Sequence, residues 1–323
     1  MRIVLLLLII LHGLIHLLGF AKAFQFGEME QFTKEISRPM GILWFLAALF
    51  FIVTALGLLL RKDWWPLLGI VVVILSQSLI FTTWADAKYG TIANAIIMVV
   101  AIVGMSNLIF ERGFKEDVAS AMNIKAPTPV LLTEEDLAPL PRCVQKYLVY
   151  VGAVGKPKIN NVKIVFKGEM RDKGKDWFKF TSEQYNFFVS PTRLFFMKAQ
   201  VMGLPTYGYH KYINEAASMQ IKLLSLFSVV DLAEPELYPT ETVTFFNDLC
   251  LFAPAALIDD RISWETLDNL SAKATFNNNG TIISAILYFN EKGQLVNFVS
   301  NDRYSVSEMK AFPFSTPAGN YKN

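Results

Sequence analysis

The sequence holds only two cysteines and three histidines, and charged residues make up just 18% of its 323 positions. Each shortage excludes something. Cys143 and Cys250 lie far apart and fit no zinc, thioredoxin or haem spacing. They are compatible with one disulfide or with two buried thiols, and the preferred reading is two buried small hydrophobes. The formal net charge is +2 with both signs spread along the chain, so there is no basic block of the kind that forms a nucleic-acid surface. No G-x-S-x-G, H-E-x-x-H, Walker loop or dinucleotide fingerprint occurs. Asp259-Asp260 lacks the spacing of a calcium loop. Nothing in the chain calls for a cofactor or a metal.

What the sequence does have is apolar length. Hydrophobic residues reach 53%, and the excess sits in the first third. Ile3 to about Leu18, Met40 to Leu60, Trp65 to about Trp84 and Ile92 to Phe110 are each of spanning length, because a helix rises 1.5 Å per residue. The first run looks like a signal peptide, but His12 and His16 within it and the three runs that follow favour a retained span. Pro39 and Pro66 stand where helices can begin. Trp64, Trp65 and Tyr89 fit an interfacial aromatic belt. No rotating charge series, carbonyl-filter motif or internal repeat suggests a channel or transporter.

With four spans, one side of the membrane carries Arg2, Arg61, Lys62, Arg112 and Lys115, the other Lys22, Lys34, Arg38 and Lys88. That split leans toward a cytoplasmic amino terminus and a cytoplasmic carboxyl-terminal domain. His12 and His16, four apart, share a helix face. They read either as ligands or proton relays or, preferably, as neutral imidazoles hydrogen-bonded to Gln77, Asn94 or backbone carbonyls within the bundle.

The composition divides the chain into a membrane unit over residues 1–115, a connector over 116–135 and an antiparallel-sheet domain over 136–323. Thr133, followed by Glu134, Glu135 and Asp136, reads as a helix cap. A helix is predicted from Pro141 to Val151. Asn161 to Met170 alternates as a strand, and further strands are read at Trp177 to Phe187, Arg193 to Gln200 and Tyr207 to Ile213. Ser218 to Val229 fits either sheet or a short helix. Thr240 is expected to cap a helix ending near Pro254. Hairpins follow, with Asn278-Asn279-Gly280 and Glu291-Lys292-Gly293 as turns. Many strands with little βαβ alternation predict an α+β domain: an antiparallel sheet with helices against one face.

The pieces RLFFMKAQVMGLPTYGYHKYINEAASMQIKLLSLFSVVD, ELYPTETVTFFNDLCLFAPAAL, ISWETLDNLSAKATF and GQLVNFVSNDRY occur in that order. Together they resemble an uncharacterised bacterial family, a domain of unknown function, over about residues 140–315. The resemblance implies a strongly curved antiparallel sheet, similar to the half-barrels of lipoprotein carriers and other lipid-binding envelope proteins. It also implies an acidic residue before the Pro, where this chain has Asn247-Asp248, and further strands after Phe314 to Pro317. The membrane unit resembles small DoxX-like membrane proteins.

Three functional readings compete. The first is a membrane-tethered binding protein for an apolar or lipid-like ligand, lined by Tyr207, Tyr209, Tyr212, Phe245, Phe246, Trp264 and Arg303. It predicts a continuous apolar cavity facing the membrane, and a face filled by Phe245, Phe246 and Trp264 speaks against that cavity. The second is an enzyme using His210, Asp248 and Glu265, which requires those groups to converge in one cleft. The third is a structural module that binds another protein. The lipid bilayer is the expected partner in all three.

Overall fold

The computed structural model describes residues 2–26, 33–125, 127–171, 174–233, 235–305 and 310–317, with side chains through residue 304. Two compact units divide it, Met1–Glu111 and Arg112–Asn323.

In the first unit, α1 (Arg2–Ala23), α2 (Arg38–Leu59), α3 (Trp65–Thr82) and α5 (Gly90–Met122) are long and apolar enough to cross a membrane; a single turn, α4 (Trp84–Ala87), precedes α5. Pro39 and Pro66 lie in the first turns of α2 and α3, where no N–H is required. Leu7, Leu11, Ile74, Phe81 and Val99 are exposed on the bundle's outside, as hydrocarbon-facing side chains must be. Packing inside depends on close approach at Gly19, where a Cβ would come within 2.3 Å of the Trp44 ring.

The histidines are buried in that bundle. His12 Nε2 donates to Asn94 Oδ1 at 2.9 Å, His16 Nδ1 donates to the His12 carbonyl at 2.8 Å, and His16 Nε2 lies 2.8 Å from Ser76 Oγ. The chain continues as Asn94 donates to Gln77 and Gln77 to Thr91. This is the structural arrangement expected of neutral imidazoles joining three helices.

One boundary differs from the sequence reading. α5 runs unbroken to Met122, past the point where the composition turns polar. Its last turns belong to the second unit and have partners there: Phe114 stacks on Phe196 and meets the rings of Tyr185 and Tyr209. Asp117 accepts from Tyr209 Oη at 2.7 Å and from Lys211 Nζ at 2.8 Å. Those contacts hold as helix a stretch that composition marks as connector.

Further along, Thr133 does bond to Asp136, at 2.7 and 2.8 Å, but the cap closes only a 3-10 turn, Glu135–Leu137. Pro139 and Pro141 stop it there. α6 (Arg142–Tyr150) then buries Cys143, Val144, Tyr147 and Leu148 on one stripe.

Six strands follow as a meander: β1 (Asn161–Met170), β2 (Phe178–Phe187), β3 (Thr192–Val201), β4 (Leu204–Ile213), β5 (Ala216–Leu223) and β6 (Phe227–Leu232). The stretch that sequence left open between sheet and helix is thus β5, a turn and β6. Helix α7 (Leu237–Phe252) comes next, starting before Thr240, whose hydroxyl instead accepts the Tyr304 N–H at 3.0 Å. A second antiparallel sheet closes the chain in the order β11-β10-β9-β8-β7. Its strands are β7 (Ile262–Thr266), β8 (Ser271–Asn278), β9 (Thr281–Phe289), β10 (Leu295–Ser305) and β11 (Lys310–Pro317).

The expected antiparallel sheet with helices is therefore two sheets, and the six-stranded one is not closed. α7 packs on β9 and β10 of one sheet and on β4 and β5 of the other. The core lies around it, with Val144, Leu148, Phe245, Phe246, Phe276, Leu287 and Phe298 fully or almost fully buried.

Candidate functional site

Strand alternation sorts the six-stranded sheet into two faces. On the inner face, toward α7, antiparallel register aligns Val162, Asn186, Arg193, Tyr212 and Ala217 in one row. The next row is Ile164, Gln184, Phe195, His210 and Met219. Two rows with almost no polarity follow: Phe166, Ser182, Met197, Gly208 and Ile221, then Gly168, Phe180, Ala199, Thr206 and Leu223. The inner face is thus polar at one end and apolar at the other.

At the polar end α7 supplies Glu241 and Asp248, seven residues and two turns apart and hence on one helix face. Arg193 lies between them, with Nε 2.8 Å from Asp248 Oδ2 and Nη1 3.3 Å from Glu241 Oε2. Asp248 Oδ2 also accepts from Gln184 at 2.6 Å and Asn186 at 3.2 Å. Arg193, Glu241 and Asp248 are all at most 8% exposed, so the pair energies are those of a desolvated network. Burial alone would lower the Arg193 pKa, but the Asp248 and Glu241 carboxylates outweigh it and the net direction is up.

His210 stands beside this network, its Nδ1 3.9 Å from Glu241 Oε1 and its ring edge-on to Phe195. Burial pushes its pKa below the usual histidine value; Glu241 opposes that, while Arg193 and Arg303 reinforce it. On β10, Arg303 Nη2 donates to Thr244 Oγ1 of α7. Burial lowers the Arg303 pKa, with Arg193 acting in the same direction against Glu241 and Asp248. The cluster therefore joins four strands and a helix through two cations and two carboxylates.

At the apolar end, Phe166, Phe180, Phe195, Met197, Met219, Ile221 and Leu223 are only half-buried. In their midst the Ser182 hydroxyl is buried with no hydrogen-bond partner among the described residues. Gly208 leaves the centre of the strip open: the nearest atom to a Cβ placed there would be Met197 Cε at 3.7 Å.

The residues expected to line one ligand site are dispersed. Tyr207 and Tyr209 are on the outer face, while Tyr212 is on the inner one. Tyr212 is a core residue, stacked on Tyr238 and bonded to Thr242 and Asn278, and burial raises its pKa. Phe245 and Phe246 are fully buried, both stacked on Phe276. They fill the space between α7 and the second sheet as packing residues, and an apolar cavity is not to be sought there. Trp264, on β7, packs partly buried against the same core, with its indole N–H lacking an acceptor among the described residues. Arg303 alone of that group reaches the polar cluster.

Of the three expected acid–base groups, His210 and Asp248 share the cluster. Glu265 lies on β7 opposite Lys273, and among the described residues no hydrogen bond or ion pair links it to the others. Cys143 and Cys250 are both buried and free, and burial raises both thiol pKa values.

Sequence reasoning passed over Gln184, Asn186, Arg193 and Glu241. A signal existed for three of them. Gln184 and Asn186 alternate in a strand, and Arg193 is a lone cation entering an apolar one; each is costly unless paired. Glu241 was visible only as part of a helix.

A family model described as a family of unknown function (DUF6544) matches residues 130–323. No curated protein and no solved structure matches the chain.

Proposed function

The chain belongs to the DUF6544 family of unknown function, and on that premise we propose that it is a membrane-anchored binding protein for an apolar or lipid-like ligand. The observation that carries this reading is the inner face of the six-stranded sheet. There a half-buried strip of Phe166, Phe180, Phe195, Met197 and Ile221 runs into a buried polar end built on Arg193, His210 and Arg303. An amphiphile has that same division: a tail that gains by leaving water and a head that needs polar partners. The Ser182 hydroxyl, buried without a partner, gives the strip a polar group for a ligand to satisfy, since an unpaired buried hydroxyl costs free energy.

The alternative enzymatic use of Asp248 is less well supported. One of its oxygens already accepts from Arg193, Gln184 and Asn186, and a base so engaged has little capacity to take a proton.

The anchor follows from four helices of spanning length and composition. The proposal further places the protein in a bacterial cell membrane with the soluble unit on the cytoplasmic side, as the Lys/Arg distribution suggests. A carboxyl-terminal reporter that is active only when exported checks this, and an active one contradicts it.

Native mass spectrometry of the full chain, gently released from membranes, tests the binding role. A stoichiometric small amphiphile is expected to remain bound, and to be lost in Gly208→Phe, which fills the strip without touching the spans. Equal retention by both proteins would assign the bound molecule to the membrane unit and contradict the proposal.

A further inference from the structure

We propose that one end of the six-stranded sheet is a docking surface for an anionic lipid bilayer, with a lipid phosphate seated between Lys179 and Lys198. This surface is separate from the inner strip and does not depend on what that strip binds.

Register brings three hairpin turns to the same end of the sheet. Met170 pairs with Phe178, Val201 with Leu204, and Leu223 with Phe227, so the β1–β2, β3–β4 and β5–β6 turns all project there. Hairpin tips are ordinarily built of Gly, Asn and Asp, because the backbone must take positive φ and the tip meets water. Here the left-handed positions include Met202 at φ 52° and Leu224 at φ 56°. Met202 is 96% exposed, Phe227 62% and Trp177 58%. Large apolar side chains are thus held in an uncommon backbone conformation and presented outward, where water gives them no return.

Charge surrounds these tips. Lys167, Arg171, Lys175, Lys179, Lys198 and Lys222 lie within a few residues of the turns, against Glu169 and Asp176. The whole chain is nearly balanced, with 30 basic and 28 acidic residues, so this end concentrates positive charge. Arg171 lies over the Trp177 ring at 4.6 Å, a pairing of cation and aromatic suited to the headgroup region.

On the outer face next to the tips is a depression of about 270 Å³. Lys179, Thr181, Lys198, Gln200 and Tyr207 line it; Thr181, Lys198 and Tyr207 are cross-strand neighbours. Two ammonium groups, two hydroxyls and an amide offer hydrogen-bond donors and no fixed anion, the set that phosphate oxygens require. The one ion pair of Lys179 is an exposed contact with Glu169 at 4.0 Å, which competes little. Apolar tips flanking a cationic depression match an anionic bilayer, in which headgroup phosphate lies just above acyl chains. A soluble phosphate compound would leave the tips without a partner.

The test uses the full chain with Met202→Cys, carrying a nitroxide at that position; the native cysteines are buried. The protein is placed in nanodiscs of phosphatidylcholine alone or of phosphatidylcholine with phosphatidylglycerol. Collision with oxygen, which partitions into lipid, is compared with collision with a water-soluble nickel chelate. With phosphatidylglycerol present, oxygen accessibility is expected to exceed chelate accessibility several-fold. Lys179→Glu/Lys198→Glu should return the probe to water, while Cys143 and Cys250 stay unreactive, showing that the fold persists. Chelate-dominated collision in both lipids would overturn the docking surface. Oxygen-dominated collision in both, unaltered by the charge reversal, would overturn the phosphate site.

Discussion

Arg193 is the residue on which the inner face turns. It neutralises two carboxylates that α7 carries into the sheet, and removing one member of a buried network leaves the others charged and desolvated. Arg193→Met is expected to destabilise the soluble unit by about 3–5 kcal/mol. The reactivity of Cys143 and Cys250, buried on α6 and α7, reports opening of that unit alone, and an unchanged labelling rate would contradict the assignment.

His210 makes a second residue-level prediction. Its folded-state pKa is depressed, so in acid the unfolded chain takes up a proton that the folded one refuses. Its contribution is fully present above the unfolded value near 6.5, and stability falls as pH drops below it. His210→Asn should flatten the loss of thiol protection between about pH 7 and 5; an identical slope in both proteins would show that other groups set it. None of this cluster was fully legible from sequence. His210 and Asp248 were visible as titratable types, but their partners Arg193 and Gln184 are polar residues within strands, and only register reveals which face they share.

At the scale of elements, legibility followed periodicity and turn chemistry. The four spans, α6 and the hairpins around Asn278-Asn279-Gly280 and Glu291-Lys292-Gly293 were readable because each depends on local pattern. β5 and β6 were not, because their turn at Leu224 and Ser225 uses positive φ without Gly or Asn. The last turns of α5 were not readable either, because contacts of Phe114 and Asp117 with residues about 70 to 95 positions away keep them helical. α7 reads as helix in sequence, but its role as the body on which both sheets pack emerges only in three dimensions. Phe246→Ala would open a void among Phe276 and Phe298 at a cost of about 3–5 kcal/mol. Accelerated labelling of Cys250, on the same helix, measures it, and protection equal to that of the parent would mean that α7 is not the centre of the core.

For the whole molecule, the account joins a four-span anchor to a sheet whose inner face is divided between apolar and polar rows. Composition made the anchor visible, since apolar length is written directly in sequence. The ligand surface was expected among Phe245, Phe246 and Trp264, yet aromatic residues look alike whether they fill a core or line a groove. Position on the sheet separates the two: the half-buried rings of Phe166, Phe180 and Phe195 are the ones left for a ligand. The most direct test is photo-crosslinking of the full chain in membranes containing a phospholipid with a photoactivatable acyl chain, followed by peptide mapping. The account predicts adducts on inner-face residues of β1 to β5, among them Phe166, Phe195 and Met197, and their loss in Gly208→Phe. Adducts confined to the four spans in both proteins would contradict it.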